Sequence, residues 1–285
     1  MRALVDQVKQ SAKLRWNRVH DFRPKIKLEV EFGPYILKIA DSYEELIESF
    51  KLRHEVFHVE FQDSSPGGLD FDKFDRWFDH LIIIHKDSQK IIGTYRLNCT
   101  DSLRNSYTAL EFDLTSIFDM QGPFLELGRA CIQKDHRKGA VISLLWRGIA
   151  EYMNLTQAQI LFGCSSIKVN NARNAALIYR YLINSGGVTE DALAKPTEDF
   201  RMKDFSEWIV YFKNQLTEPQ KVEAEAMIPS LLKSYLKLGA KVAGEPAFDR
   251  DFDCIDLLTV LKKQDLSQAL AKKFAVKETS QTDLR

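Results

Sequence analysis

An apolar run with a glutamate, a glycine and an arginine in its middle, Phe124-Leu125-Glu126-Leu127-Gly128-Arg129-Ala130-Cys131-Ile132, constrains this chain more than any other stretch. Its composition is that of a buried strand, in which charges are costly unless each has a partner. The run passes into Gln133-Lys134-Asp135-His136-Arg137-Lys138-Gly139-Ala140 and then into a helical pattern. Strand, short basic loop and helix bring free backbone N–H groups, the helix dipole, Arg137 and Lys138 to one place, which suits a phosphate. Glu126 and Arg129 admit two readings, a fold-fixing ion pair or a reactive pair.

Around this segment the patterns alternate. Tyr35–Ile39 reads as a strand, and Ser42 with Glu45 forms a capping box opening a helix to about Val59. Pro66-Gly67-Gly68 marks a turn. His80–Ile84 and Ile91–Leu97 read as hairpin strands about Asp87-Ser88-Gln89-Lys90. A helix over 139–155, a strand over 160–163, a helix over 170–183, a helix over 222–238 and a strand over 254–261 follow. Hairpins first and helix–strand alternation later predict an α/β fold, a mixed central sheet with helices on both faces. The expected division is a basic amphipathic arm over 1–30, a catalytic-type domain over 31–270 and a polar tail over 271–285.

The 40 basic and 40 acidic residues cancel, so no global field draws nucleic acid to the chain, and an anionic partner needs a local patch. Cys99, Cys131, Cys164 and Cys254 form no C-x-x-C pair, which favours reduced thiols over zinc or disulfides. No apolar run reaches bilayer-spanning length, and the reading is a cytoplasmic protein. The first segment sets Leu4, Val5, Val8, Ala12, Leu14 and Val19 against Arg2, Lys9, Lys13, Arg15 and Arg18. Either it rests on an anionic membrane surface or it packs as a solvated helix.

A second charged set precedes the central run. Arg53 and Phe57 share a helix face, Asp72, Asp75 and Asp79 follow within Asp72-Lys73-Phe74-Asp75 and Asp79-His80-Leu81, and Arg96 ends the second hairpin strand. These groups either neutralise one another or hold a zwitterion.

Eight motifs in order carry a resemblance: Arg53-x-x-Val56-Phe57, Asp72-x-Phe74-Asp75 with Asp79-His80-Leu81, Gly93-Thr94-Tyr95-Arg96-Leu97, Glu126-Leu127-Gly128-Arg129, Leu144–Ala150, Phe162-Gly163-Cys164-Ser165-Ser166, Gly239-Ala240-Lys241-Val242, and Pro246–Asp249 with Phe252-x-x-x-Asp256. Over roughly 35–262 the chain resembles the amino-acid N-acyltransferase branch of the GNAT superfamily. That branch includes ornithine-type and haemolysin-like members, with acyl-homoserine-lactone synthases as cousins. The resemblance implies a GNAT-like fold that carries an extra N-terminal helix and a C-terminal extension. It also implies transfer of a long-chain acyl group from an acyl carrier protein or coenzyme A thioester to the amine of an amino acid such as ornithine.

No permanent cofactor and no metal are implied; acyl carrier protein, or coenzyme A, enters as the carrier of a co-substrate. Glu126 is implied as general base and Arg129 as its orienting or carboxylate-binding partner. Arg53, Phe57, Asp72, Asp75 and Arg96 are implied on the acceptor side. Ala130, Ile132, Arg137, Lys138, Gly139, Ala140 and Ser165 are implied against the phosphopantetheine. Phe57, Phe74 and Trp77 are candidate walls of an acyl tunnel or simple core aromatics, and Lys134, Arg137, Lys138 and Arg147 could meet an acidic carrier. The phosphate loop departs from the superfamily pattern, being shifted and holding one glycine.

Rival readings are a short-chain acetyl-coenzyme A enzyme and a non-catalytic acyl-binding module. His58-x-x-x-x-Asp63 fits a glycerolipid-acyltransferase pattern, but the Gly-Thr-Arg motif expected after it is missing. No serine nucleophile elbow is present, which disfavours covalent catalysis.

Overall fold

The computed structural model describes residues 22–60, 68–101, 105–137, 140–191 and 193–266. The amphipathic arm up to residue 21, the Pro66-Gly67 part of the turn, Asp63, Lys138, Gly139 and the tail over 271–285 lie outside these. The chain divides into two compact units, 1–98 with 127–157, and 99–126 with 158–285.

In the first unit β1 (Glu29–Phe32), β2 (Tyr35–Ile39), β3 (Asp79–His85) and β4 (Lys90–Thr100) run antiparallel, and β6 (Phe124–Ile132) lies beside β4. β-Branched Ile82, Ile83 and Ile84 suit a strand in a sheet, and Ile82 and Ile83 are sealed from solvent. The helix α1 (Tyr43–His54) is capped by the Ser42 hydroxyl, which accepts from the Glu45 N–H at 3.2 Å. It then widens into a π-helical segment, Glu55–Glu60. Leu46 and Phe50 of α1 pack on Ala40 and Ile82. On the opposite face α3 (Ala140–Thr156) lies against Leu37 and Leu81 at Gly148 and against β4 at Gly93, where a Cβ would stand 3.3 Å from Val141. Successive strand residues point to opposite faces, so this unit has helices on both sides, as the pattern predicted.

Asp79 fastens the start of the described chain. Its carboxylate accepts from Lys25 N–H (2.9 Å), Ile26 N–H (3.2 Å) and the Tyr152 hydroxyl (2.8 Å).

In the second unit β6 pairs parallel with β7 (Ile160–Ile167), registered as Phe124↔Ile160, Leu125↔Leu161 and Glu126↔Phe162. β7 pairs antiparallel along its whole length with β11 (Cys254–Lys262), which also carries β9 (Lys241–Val242) and β10 (Ala247–Asp249). α4 (Ala172–Asn184) buries Ala175, Leu177, Ile178 and Leu182 against Ile255 and Leu257. The strand β5 (Phe112–Asp113), paired with β8 (Lys195–Pro196), and the helix α2 (Thr115–Phe118) bring Phe112, Leu114 and Ile117 against Phe124, Phe162 and Leu258.

Several elements differ from the sequence reading. β7 continues to Ile167, four residues beyond the expected end at Gly163, because β11 pairs with it throughout. The single helix expected over 222–238 is two, α6 (Glu218–Met227) and α7 (Ser230–Lys237), separated at Ile228-Pro229. Proline has no N–H to donate and forces Ile228 to φ −76°, ψ 121°, outside the helical region. The helix α5 (Phe205–Tyr211) and strand β1 carried no strong periodicity and were not expected. No helix of the described residues is long and apolar enough to cross a membrane.

Candidate active site

The charged residues upstream of the central strand fold into one network. Arg53, on the buried face of α1, gives Nη1 to Asp75 Oδ1 (2.6 Å) and Nε to Asp70 Oδ1 (2.8 Å). Arg96, on β4, gives Nη1 to Asp72 Oδ2 (2.8 Å) and Asp75 Oδ1 (3.1 Å). Arg129, on β6, stands with Nε 3.5 Å from Asp70 Oδ1 and Nη2 3.3 Å from Asp72 Oδ2. Each carboxylate thus lies between two guanidiniums, which offsets the cost of burying any one charge. The turn is held from inside as well: Asp72 N–H donates to Asp75 Oδ2 (2.6 Å) and Phe74 N–H to Asp72 Oδ1 (2.7 Å).

Burial pushes the Asp75 carboxyl upward, but Arg53 and Arg96 outweigh it and hold Asp75 far below the usual carboxylate range. Asp70 is held low in the same way, burial being opposed by Arg53 and Arg129. His80, fully buried, donates from Nε2 to the Asp75 carbonyl (2.9 Å), and burial lowers it to about 4, so it is neutral near pH 7.

Members of the network differ in access. Arg53, Arg96 and Asp75 are sealed from solvent. The side chains of Arg129 (16 % exposed), Asp72 (25 %) and His58 (27 %) keep surface. His58 Nε2 lies 3.1 Å from Asp70 Oδ2. Phe57 is half-buried with the Arg129 guanidinium 5.8 Å from its ring. Phe74 packs edge-on against Phe78, while Trp77 is exposed beneath Arg76, so these two have different surroundings.

Arg129 has φ 50°, a left-handed conformation unusual for any residue but glycine and more so inside a strand. It interrupts the pleat where β6 changes character: Phe124, Leu125 and Glu126 are buried, Leu127 to Ala130 retain surface, and Cys131 and Ile132 are buried again. Arg137 donates from Nε to the Ile132 carbonyl (3.0 Å) and from Nη2 to both oxygens of Glu60 (2.8 and 2.7 Å). Ala140 opens α3.

In the second unit Glu126 is almost completely buried, and its Oε1 accepts from both the backbone N–H and the hydroxyl of Thr108, each at 2.7 Å. Nearby in this unit, Glu111, Cys164 and Asp256 bring their ligand atoms within 4.8 Å of one another. The thiol of Cys164 donates to Glu111 Oε2 (3.4 Å), and the Ser166 hydroxyl to Asp256 Oδ1 (2.6 Å). Burial, followed by the Asp256 and Asp249 charges, pushes Glu111 well above its ordinary value. Ser165 is buried on β7 and accepts from Thr259 Oγ1 (2.8 Å).

Asp70 and Thr108 escaped the sequence reading. Asp70 had a signal, since aspartates at 70, 72 and 75 punctuate Leu69–Asp75. Thr108 had none, because its bond to Glu126 joins positions far apart in the chain. His58 entered only through the pattern ending at Asp63, whereas the structure pairs it with Asp70.

Residues 52–147 match the model of the acetyltransferase (GNAT) domain. The L-ornithine N(alpha)-acyltransferase of Rhodobacter capsulatus is 30% identical over 250 residues, covering 82% of this chain and 92% of the relative. The enzyme of the same name from Rhizobium meliloti is 28% identical over 240 residues, covering 79% and 78%. Among solved structures, FeeM, an N-acyl amino acid synthase from uncultured soil microbes, has a TM-score of 0.47 at 9% identity, covering 84% of this chain and 96% of that one. BjaI, a CoA-dependent acyl-homoserine lactone synthase, has a TM-score of 0.44 at 15% identity, covering 81% and 82%. With a relative matched across nine-tenths of its length, the chain belongs to the GNAT-domain family that contains the L-ornithine N(alpha)-acyltransferases, and it is an acyltransferase.

Proposed function

We propose that this enzyme moves a long-chain fatty acyl group from an acyl carrier protein or coenzyme A thioester directly to the amine of an amino acid, with ornithine as the first candidate. The observation that carries this reading is the middle of β6. Its ladder with β7 is registered as far as Glu126↔Phe162, and the next four residues, Leu127 to Ala130, keep surface around a left-handed Arg129. Backbone N–H and C=O groups at such a place can take an extended ligand as a strand takes its neighbour, which suits the amides of pantetheine. A backbone N–H turned off the pleat there would meet the oxyanion that forms when nitrogen attacks the thioester.

Glu126, oriented by Thr108, serves as the general base that takes a proton from the attacking nitrogen. Arg129 receives the acceptor's carboxylate, and Asp72, the most exposed carboxylate of the network, its ammonium. Arg53, Arg96 and Asp75 hold that surface rigid from beneath. Arg137 and Ala140 border the loop for the phosphate, together with Lys138 and Gly139. An acidic carrier protein docks on the basic residues of this loop, and the basic arm beginning the chain lies on anionic lipid. The names of the relatives support the amino-acid acceptor; the carrier and the membrane rest on charge pattern alone.

The test is turnover of palmitoyl-acyl carrier protein and palmitoyl-coenzyme A with L-ornithine and other amino acids, read by mass spectrometry of the N-acyl product. Glu126→Gln should fold, bind the thioester and lose about two to four orders of magnitude in rate. Acetyl-coenzyme A as the preferred donor, or thioester binding without transfer to any amino acid, would overturn the proposal.

A further inference from the structure

Acyl transfer to an amino acid at neutral pH has a proton balance that Glu126 alone does not close. The α-amine enters largely as an ammonium, since its ordinary pKa is about 8. It loses one proton before it can attack, which frees the lone pair that forms the C–N bond. It loses a second from the tetrahedral adduct, as the C–S bond breaks and its electron pair leaves on sulfur. The second proton can pass to the departing thiolate and make a thiol. The first is released, one per turnover, and must reach water. Glu126 is almost completely buried and suits the second transfer, between reacting atoms.

We infer that His58, held by Asp70, accepts the first proton and delivers it to solvent. His58 Nε2 lies 3.1 Å from Asp70 Oδ2. If that nitrogen carries the hydrogen, the tautomer a carboxylate favours, Nδ1 bears the lone pair. The other oxygen of Asp70 bonds Arg53 (2.8 Å) and faces Arg129 (3.5 Å), so a single carboxylate ties the imidazole to the arginine assigned to the acceptor's carboxylate. Asp70 would also stabilise the imidazolium after proton transfer. A second histidine bonded to the network, His80, is sealed and lowered to about 4. His58, with 27 % of its side chain exposed, can exchange with water.

The ring sits on the π-helical segment, and π-turns recur at functional sites. The groups facing it are His54 of α1, stacked at 5.0 Å, and Asp70 on the turn, whose neighbour Asp72 bonds Arg129. Arg129 and the neutral thiol of Cys131 lie on β6, and Glu60 of its own segment is clamped by Arg137. Of these only His54 is also an imidazole, and His58 is the ring bonded to Asp70, the carboxylate that also faces Arg129.

This inference rests on the proposed amino-acid acylation and is tested on the full chain with palmitoyl-acyl carrier protein and L-ornithine. His58→Ala should lower kcat/KM for ornithine about 10-fold at pH 7, the factor by which the ammonium outnumbers the free amine there, and recover most of that by pH 9.5, where the free amine needs no base. Added imidazole should restore part of the loss at pH 7, and the KM for the thioester should not change. His58→Gln, which keeps the bulk and can still reach Asp70, should behave as His58→Ala does. Near-normal turnover of either variant at pH 7, or a loss equal at both pH values and indifferent to imidazole, would overturn the role of His58. If the unaltered enzyme acylates no amino acid, the parent reading fails and this one with it. If it does acylate ornithine, only the His58 results decide.

Discussion

Thr108 gives both its backbone N–H and its hydroxyl to a single oxygen of Glu126, each at 2.7 Å. A carboxylate gripped twice on one oxygen cannot swing, so its second oxygen has a fixed direction. That second-order contact is what turns a buried acid into an oriented one.

Thr108→Val keeps the N–H and the shape but removes the hydroxyl. A hydrogen bond to a charged group contributes about 1.5–3 kcal/mol, so kcat should fall about 10- to 100-fold. Thioester KM should stay nearly constant. Steady-state kinetics with varied donor would check this, and a change confined to KM would remove Thr108 from any part in the chemical step.

His80 makes folding sensitive to acid. Its folded value of about 4 lies below the ordinary 6.5, so the unfolded chain binds more protons between these values. Stability is therefore complete above pH 6.5 and declines as pH falls toward 4, by about 3 kcal/mol in total. Below that, protonation of Asp75 and Asp70 weakens the fold further. Urea midpoints measured from pH 7 to pH 4 should fall accordingly, and His80→Gln should flatten the upper part of the curve.

Gly148 sets how closely α3 approaches the sheet. A Cβ there would stand 2.9 Å from Leu81 Cδ2 and 3.0 Å from both methyls of Leu37, and both leucines are sealed. Overpacking of this kind costs about 1–3 kcal/mol, while alanine returns about 1 kcal/mol of helix propensity. Gly148→Ala should lose about 1 kcal/mol net and Gly148→Val clearly more. Denaturation midpoints unchanged in both would mean that the leucines repack freely.

Much of this architecture was legible in advance because it is local. Phe124–Ile132 was read to its true ends, since its apolar run is bounded by Pro123 on one side and polar Gln133 on the other. The Ser42 cap and the hairpin of β3 and β4 follow from residues adjacent in sequence. The charged network was legible as a set of arginines and aspartates, but not as a wiring diagram. Arg53 pairs with Asp70 and Asp75, 17 and 22 residues away, and no local pattern distinguishes those carboxylates from Asp79, which ties down Lys25 and Ile26 instead. Pro229 was a readable signal that the periodicity on either side of it obscured. Weak strands such as β1 are defined by their neighbours, and their own four residues carry too little pattern to be read alone.

The π-helical turn at Glu55–Glu60 makes its contacts depend on how the stretch is wound. Rewound as an ordinary α-helix with every residue kept, it would turn its far end by about 100°. The imidazole at 58 would then swing off Asp70, and the Glu60 clamp on Arg137 would open with it. A change that favours the tighter winding should therefore undo contacts that its own side chain never makes.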